Sequence, residues 1–169
     1  MRTAIFYESK TGFTKKYAEW IAEEIKGDAF PVSEVKKIDL AKYDALVFGG
    51  WTFAGSIKGW KEVKKYFESF TGKKVLFVTG SAVPDKEEVK INLEKYRAEA
   101  ALCSTRAFYL RGGIDYNKMH GMNKVMMKMM SAMMKKQHGE DSEEYKEVSQ
   151  NFDGTDRAAL KPIIEYLNG

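Results

Sequence analysis

Hydrophobic residues fall along the chain in two alternating rhythms. Continuous apolar runs occupy residues 3–7, 43–50, 73–80 and 104–110. Between them, apolar residues recur every three or four positions, as Tyr17, Ala18, Ile21 and Ile25 do. The continuous runs predict strands covered on both faces. The periodic segments predict helices over residues 13–26, 57–70, 85–101 and 155–167. Gly27-Asp28 ends the first helix, and Pro84 precedes the third. Ala29-Phe30-Pro31-Val32 reads as a short second strand, placed at an edge by Pro31. Pro162 lies inside the last helix and predicts a kink or a late start, with Thr155 or Asp153 as cap. Alternating strand and helix argue for an α/β fold with an open parallel sheet. Five strands with the second at an edge fit the order 2-1-3-4-5, with helices on both faces. Such sheets bind ligands beyond the carboxyl ends of their strands, between strands one and three. Residues 8–14, 49–55 and 79–84 gather there.

The first of these loops is Ser9-Lys10-Thr11-Gly12-Phe13-Thr14, joining a buried strand to a helix. A helix N-terminus collects free N–H groups and the positive end of the helix dipole. Three hydroxyls and a glycine let the loop wrap a phosphate. No lysine follows the glycine as a nucleoside-triphosphate loop requires, so a monophosphate fits better. The competing reading is an ordinary cap, with Thr11 or Ser9 accepting from the first-turn amides.

Composition narrows the classes. A chain of 169 residues, 44% hydrophobic and 31% charged, suits one soluble globular domain spanning 1–169. The lone cysteine, Cys103, lies between Leu102 and Ser104 at a predicted strand start. It reads as a small buried residue rather than a nucleophile. One cysteine allows no internal disulfide and fits a reducing compartment. No basic-then-apolar leader and no membrane-length apolar run is present, so the cytoplasm is the expected location. The net charge of +4 fits an anionic substrate, an anionic membrane surface, or neither. No nucleic-acid motif is found. His120 and His138 lack ligand spacing, so no metal is expected. No acid–base pair stands out, and no catalytic residue is assigned.

The pattern Ser-x-Thr-Gly-x-Thr directly after a first strand resembles the phosphate loop of flavodoxins. The resemblance implies a flavodoxin-like fold and bound FMN, with Ser9, Lys10, Thr11, Gly12, Phe13 and Thr14 around the phosphate. It also implies ring contacts from Gly50, Trp51, Thr52, Phe53, Ala54 and Gly55, unless Trp51 and Phe53 pack on a neighbouring loop. Thr79, Gly80, Ser81 and Ala82 are expected at the polar edge of the flavin. Carrier flavodoxins usually place a sandwiching aromatic in that loop, which this sequence lacks, and they are generally acidic. Gly112-Gly113-Ile114-Asp115-Tyr116 resembles the group that includes menaquinone-linked protoporphyrinogen dehydrogenases. It implies Gly113 and Tyr116 near the cofactor and Arg111 at the crevice mouth, against a plain glycine turn with a solvated arginine. A phospho-receiver domain of the same topology would need an acidic pair after strand one. It would also need an Asp ending strand three, where this chain has Gly49-Gly50.

The fifth strand is followed by an insertion over residues 115–151. Met119, Met122, Met126, Met129, Met130 and Met133 form one helical stripe, widened by Met127 and Met134. Lys118, Lys124, Lys128, Lys135 and Lys136 avoid it. Three readings compete: a helix packing its methionines on the domain body, a Met-lined lid over the flavin, or an interfacial helix on anionic lipid. The last would seat Met119–Met134 peripherally on the inner face of the membrane. Residues 139–147 read as a mobile loop. The expectation is an FMN-binding electron-transfer protein whose partner is a redox protein or a quinone- or porphyrin-like small molecule. A flavin dehydrogenase of the protoporphyrinogen and quinone type is the alternative.

Overall fold

A computed structural model of the chain describes residues 1–101 and 103–169. In chain order the elements begin with β1 (Thr3–Tyr7), α1 (Phe13–Ile25), β2 (Asp28–Pro31), β3 (Ala45–Phe53), β4 (Ser56–Ile57) and α2 (Trp60–Ser69). They continue with β5 (Lys73–Gly80), α3 (Glu87–Ala101), β6 (Arg106–Arg111), β7 (Gly113–Ile114), α4 (Gly121–His138) and α5 (Glu143–Ser149). β8 (Phe152–Asp153) and α6 (Lys161–Asn168) complete the chain. The main sheet runs β2-β1-β3-β5-β6, all parallel, which is the expected five-strand order. β4 folds back antiparallel on the end of β3 and adds a sixth strand.

The continuous runs are buried because both sheet faces are covered. Alternate residues of β5 feed opposite cores. Leu76 and Val78 pack with Phe6, Phe48, Trp60, Val63 and Phe67 under α2 and α3. Val75 and Phe77 pack with Ile5, Val47, Tyr17, Ile21, Ile163 and Leu167 under α1 and α6. Each such side chain contributes on the order of 1.5–3 kcal/mol by leaving water. Gly49 is required here, since a Cβ on it would sit 2.0 Å from the Phe77 ring.

Two adjacent lysines close helices on the two faces. Lys74, only 7% exposed, donates to the carbonyls of Phe67 at 3.0 Å and Phe70 at 2.8 Å, at the end of α2. Lys73 donates to Tyr166 and Leu167 carbonyls at 3.2 Å, at the end of α6. Carbonyls in a last helical turn lack intrahelical partners, and a cation suits the negative end of the dipole.

Several boundaries differ from expectation. The glycine loop after the third run is largely strand, because β3 extends through Thr52 and Phe53 to pair with β4. That hairpin delays α2 to Trp60, rather than residue 57. The last helix starts late at Lys161, with Pro162 in its first turn, where a missing N–H costs nothing. The expected caps Thr155 and Asp153 bond to each other, and Asp156 instead accepts from Ala158 in a preceding 3-10 turn. Cys103 is buried in a turn, and β6 begins only at Arg106. Leu102 lies outside the described residues. Residues 143–147 are helical, not a loop: Ser142 accepts from the Tyr145 amide at 3.2 Å, and Glu143 and Glu144 favour the first turn.

The insertion leaves and returns through a ribbon, with Ile114 paired to Phe152 and Gly113 to Asp153. The Tyr116 backbone N–H donates to Asn151 Oδ1 at 2.8 Å and ties the base together. Glu147 of α5 pairs with Lys86, just before α3, at 2.5 Å.

Candidate functional site

The junction between β1 and α1 is built to leave amides free. Gly12 is the N-cap, in a left-handed conformation at φ 99° that suits glycine, and has no side chain to accept from the first turn. Neither Thr11 nor Ser9 takes over that role. Ser9 Oγ accepts from the Gly12 amide at 3.2 Å, which lies before the helix and shapes the loop instead. No acidic residue occupies the first turn of α1. The positive end of the helix therefore faces outward without a side-chain counterpart, an arrangement that attracts an anion.

This junction opens onto a cavity of about 490 Å³. Its floor and near walls come from Lys10, Thr11, Phe13 and Thr14, from Trp51, Thr52, Phe53 and Ala54, and from Thr79, Gly80, Ser81 and Gly113. These are sequence-predicted positions, brought together from three loops and the turn after β6. Trp51 and Phe53 are two apart on β3 and share one face. Their rings meet edge to face at 5.8 Å, and both line the cavity. The indole Nε1–H of Trp51 is buried and has no acceptor among the described residues. Lys10 holds its ammonium 6.0 Å from the same ring.

The remaining expected residues lie off the wall. Ser9 shapes the loop, and a Cβ on Gly12 would meet nothing within 4 Å. Gly50 is buried in β3. Gly55 and Ala82 border a smaller neighbouring cavity of about 170 Å³. Tyr116 turns away into the insertion, where its hydroxyl donates to the carbonyls of Val148 and Met127. The β5–α3 loop carries no aromatic of its own. Tyr109 of β6 supports it from below, donating to the Ala82 carbonyl at 2.9 Å. Burial pushes the Tyr109 hydroxyl far above the usual phenol range, so it remains a donor.

Arg111 is not a solvated side chain on a glycine turn. Its Nε donates to the Ser81 carbonyl at 3.3 Å, and its guanidinium lies 5.0 Å from the Phe152 ring centroid. The Gly112 amide donates to Gly80 at 2.7 Å and the Gly154 amide to Gly112 at 2.9 Å. The rim of the cavity is thus tied to the base of the insertion.

The far wall is α4. Met119, Asn123, Met126, Met127, Met130 and Met133 line the cavity, with His120 at the N-cap of the helix. No residue of α4 is buried, and no methionine enters either core. Packing on the domain body is therefore not what the stripe does. Met122 and Met129 point to solvent, at 70% and 67% exposed. Site reasoning from sequence omitted Gly112, Ile114, His120 and Asn123. The methionine spacing was the available signal for the α4 residues.

Among the described residues, no helix is long and apolar enough to cross a membrane. A search of curated proteins finds no match. Several solved structures are similar to the chain at low identity. A flavoprotein from Lactobacillus acidophilus NCFM, solved in complex with FMN, is 18% identical over 65% of this chain and 91% of its own, with a TM-score of 0.48. A flavoprotein from Bacteroides uniformis ATCC 8492 is 16% identical over 75% and 97%, with a TM-score of 0.47. A flavodoxin from the domain Archaea is 16% identical over 66% and 85%, with a TM-score of 0.45. A model of the flavodoxin domain matches residues 4–141, most of the chain and all five parallel strands, and the chain belongs to the flavodoxin-domain family.

Proposed function

We propose that the cavity holds FMN and that the protein is an electron-transfer flavoprotein. The observation that carries this is the uncapped N-terminus of α1 opening onto an aromatic-walled cavity. The residues present suit the group. The α1 amides and the Thr11 hydroxyl meet a phosphate without a competing carboxylate. The buried Trp51 Nε1–H lacks an acceptor, which an oxygen or ring nitrogen of the cofactor would supply. Trp51 and Phe53 offer flat apolar surface to a ring. A volume of about 490 Å³ lies within the range of small-molecule sites. FMN supplies the redox chemistry, and the chain's residues bind it, orient it and keep water away. We read residues 1–169 as one cytoplasmic domain. Reconstitution with FMN, FAD and riboflavin, followed by absorbance, tests the assignment: FMN should bind most tightly, and preference for FAD would overturn it.

A second reading, an FMN-dependent dehydrogenase or reductase acting on a quinone- or porphyrin-like molecule, is favoured by α4. A carrier needs only an exposed flavin edge. Here five methionines cover the cavity and give it a deformable apolar roof suited to a flat substrate. The exposed Met122 and Met129, with nearby lysines, keep peripheral contact with anionic lipid open as a proposal. Turnover of the holo-protein with quinones, compared with reduction of a redox protein, separates the two readings.

A further inference from the structure

Proton chemistry on the cavity wall is confined to one side chain. The described wall residues include no Asp, Glu, Cys or Tyr. Its hydroxyls belong to Ser and Thr, which do not ionise near neutrality. Lys10 stands at the phosphate-loop end, beside Trp51. His120 remains, and imidazole is the side chain that exchanges a proton in the neutral range. Its position is set by the backbone. His120 is extended, at φ −132° and ψ 159°, and Gly121 follows at φ 59°, so the chain turns sharply into α4 at this point. His120 thus stands at the start of the methionine roof, where it lines the cavity and remains exposed to solvent.

We propose that His120 transfers the proton in a two-electron reaction between FMN and a flat apolar quinone lodged under the α4 methionines. The inference rests on the FMN reading above. When bound, FMN in its anionic reduced form would supply a hydride to one carbonyl oxygen of the quinone. The other oxygen becomes an oxyanion and takes the proton of the His120 imidazolium. A hydroquinone leaves, and the exposed imidazole recovers its proton from water. Across the cavity, the β1–α1 loop presents Lys10, while the wall residues of β3, β5 and 112–114 present no titratable side chain. On its own segment His120 is flanked by Lys118 and Lys124.

The test uses the FMN-loaded protein with menadione as the quinone. Holo-protein is photoreduced, mixed anaerobically with menadione, and flavin reoxidation is followed from pH 5 to 9. The wild-type rate should fall from pH 5 to pH 9, because the protonated form is the donor. His120→Gln should lower the rate at pH 6 by roughly 10²-fold and abolish this pH dependence. Reoxidation by ferricyanide, which takes electrons singly and needs no proton, should be unchanged. In NMR spectra of the oxidised holo-protein, the His120 imidazole signals should shift on adding menadione. An unchanged pH profile in His120→Gln, or imidazole signals unmoved by menadione, overturns the inference while FMN remains bound. Failure of the wild type to bind FMN overturns it together with the proposed function.

Discussion

The hydroxyls of Thr14 and Thr79 stand 2.8 Å apart, joining the first turn of α1 to the end of β5. Both residues are buried, and they come from two different loops of the cavity. Thr79 also reaches toward the Gly50 carbonyl at 3.5 Å, a weak contact at most. Thr14 therefore spends its hydroxyl on holding loops together. Of the β1–α1 hydroxyls on the wall, Thr11 has no such partner among the described residues and is the one left for a ligand.

That division separates two substitutions. Thr14→Ala leaves the buried Thr79 hydroxyl poorly satisfied and should cost about 1–3 kcal/mol of stability. Thr11→Ala should leave the melting temperature unchanged and weaken FMN by roughly 1.5–3 kcal/mol, one hydrogen bond to a charged group. Riboflavin, without phosphate, should not notice the Thr11 change. Thermal melts and flavin titrations of both variants check this; equal weakening of FMN and riboflavin by Thr11→Ala would place the hydroxyl elsewhere.

Removal of the roof should spare the scaffold. Replacing residues 116–150 by a short Gly-Ser bridge deletes α4 and α5, neither of which contains a buried residue. We expect a folded protein that still binds FMN but no longer turns over flat apolar acceptors. Single Met→Ala changes in α4 should each cost well under the roughly 2–5 kcal/mol typical of core methionines. A melt of the deletion variant with and without FMN decides the matter, and collapse of the fold would contradict it.

Lys74→Met should destabilise despite its apolar replacement. The Phe67 and Phe70 carbonyls lose their shared donor, and Phe67 belongs to the core. The expected loss is about 1–3 kcal/mol, read from the midpoint of urea unfolding. A variant as stable as the wild type would mean that water replaces the ammonium without penalty.

Acid should loosen the link between α1 and the base of the insertion. Burial acts to raise the Asp153 carboxyl, but the Lys16 ammonium at 2.6 Å and two bonds from Thr155 outweigh it. The carboxyl is held below its ordinary value in the folded state. A depressed pKa contributes stability above the unfolded value, and that stability is lost as the pH falls through the folded one. The effect belongs below about pH 4 and is small, because both partners are about half exposed. Asp153→Asn should be less stable than the wild type at pH 7, and the gap should narrow as the pH falls below about 4, in paired denaturation curves.

The sheet was legible because β1, β3 and β5 are buried on both faces, which forces unbroken apolar runs such as Val75-Leu76-Phe77-Val78. The β1–α1 junction was legible from its hydroxyls and Gly12. The β3–β4 hairpin was not. Its turn places both Ala54, at φ 48°, and Gly55, at φ 74°, in the left-handed region, and alanine rarely announces such a turn. The helix at Glu143–Ser149 hid in a polar stretch with few apolar residues to mark a period, although Ser142 and the two glutamates formed a readable start. Tyr116 looked like a cofactor contact because it follows a glycine turn. Only the path of the insertion reveals that its hydroxyl serves Val148 instead.

The pairing of Ile114 with Phe152 brings the two ends of residues 115–151 side by side at the cavity rim. To the rest of the molecule, the intervening chain is a cassette held by fixed terminals. Lengthening a loop between closed ends costs little, growing only with the logarithm of its length. Different roofs can therefore be exchanged on this scaffold during evolution or by engineering, each changing what the cavity admits while leaving the parallel sheet as it is.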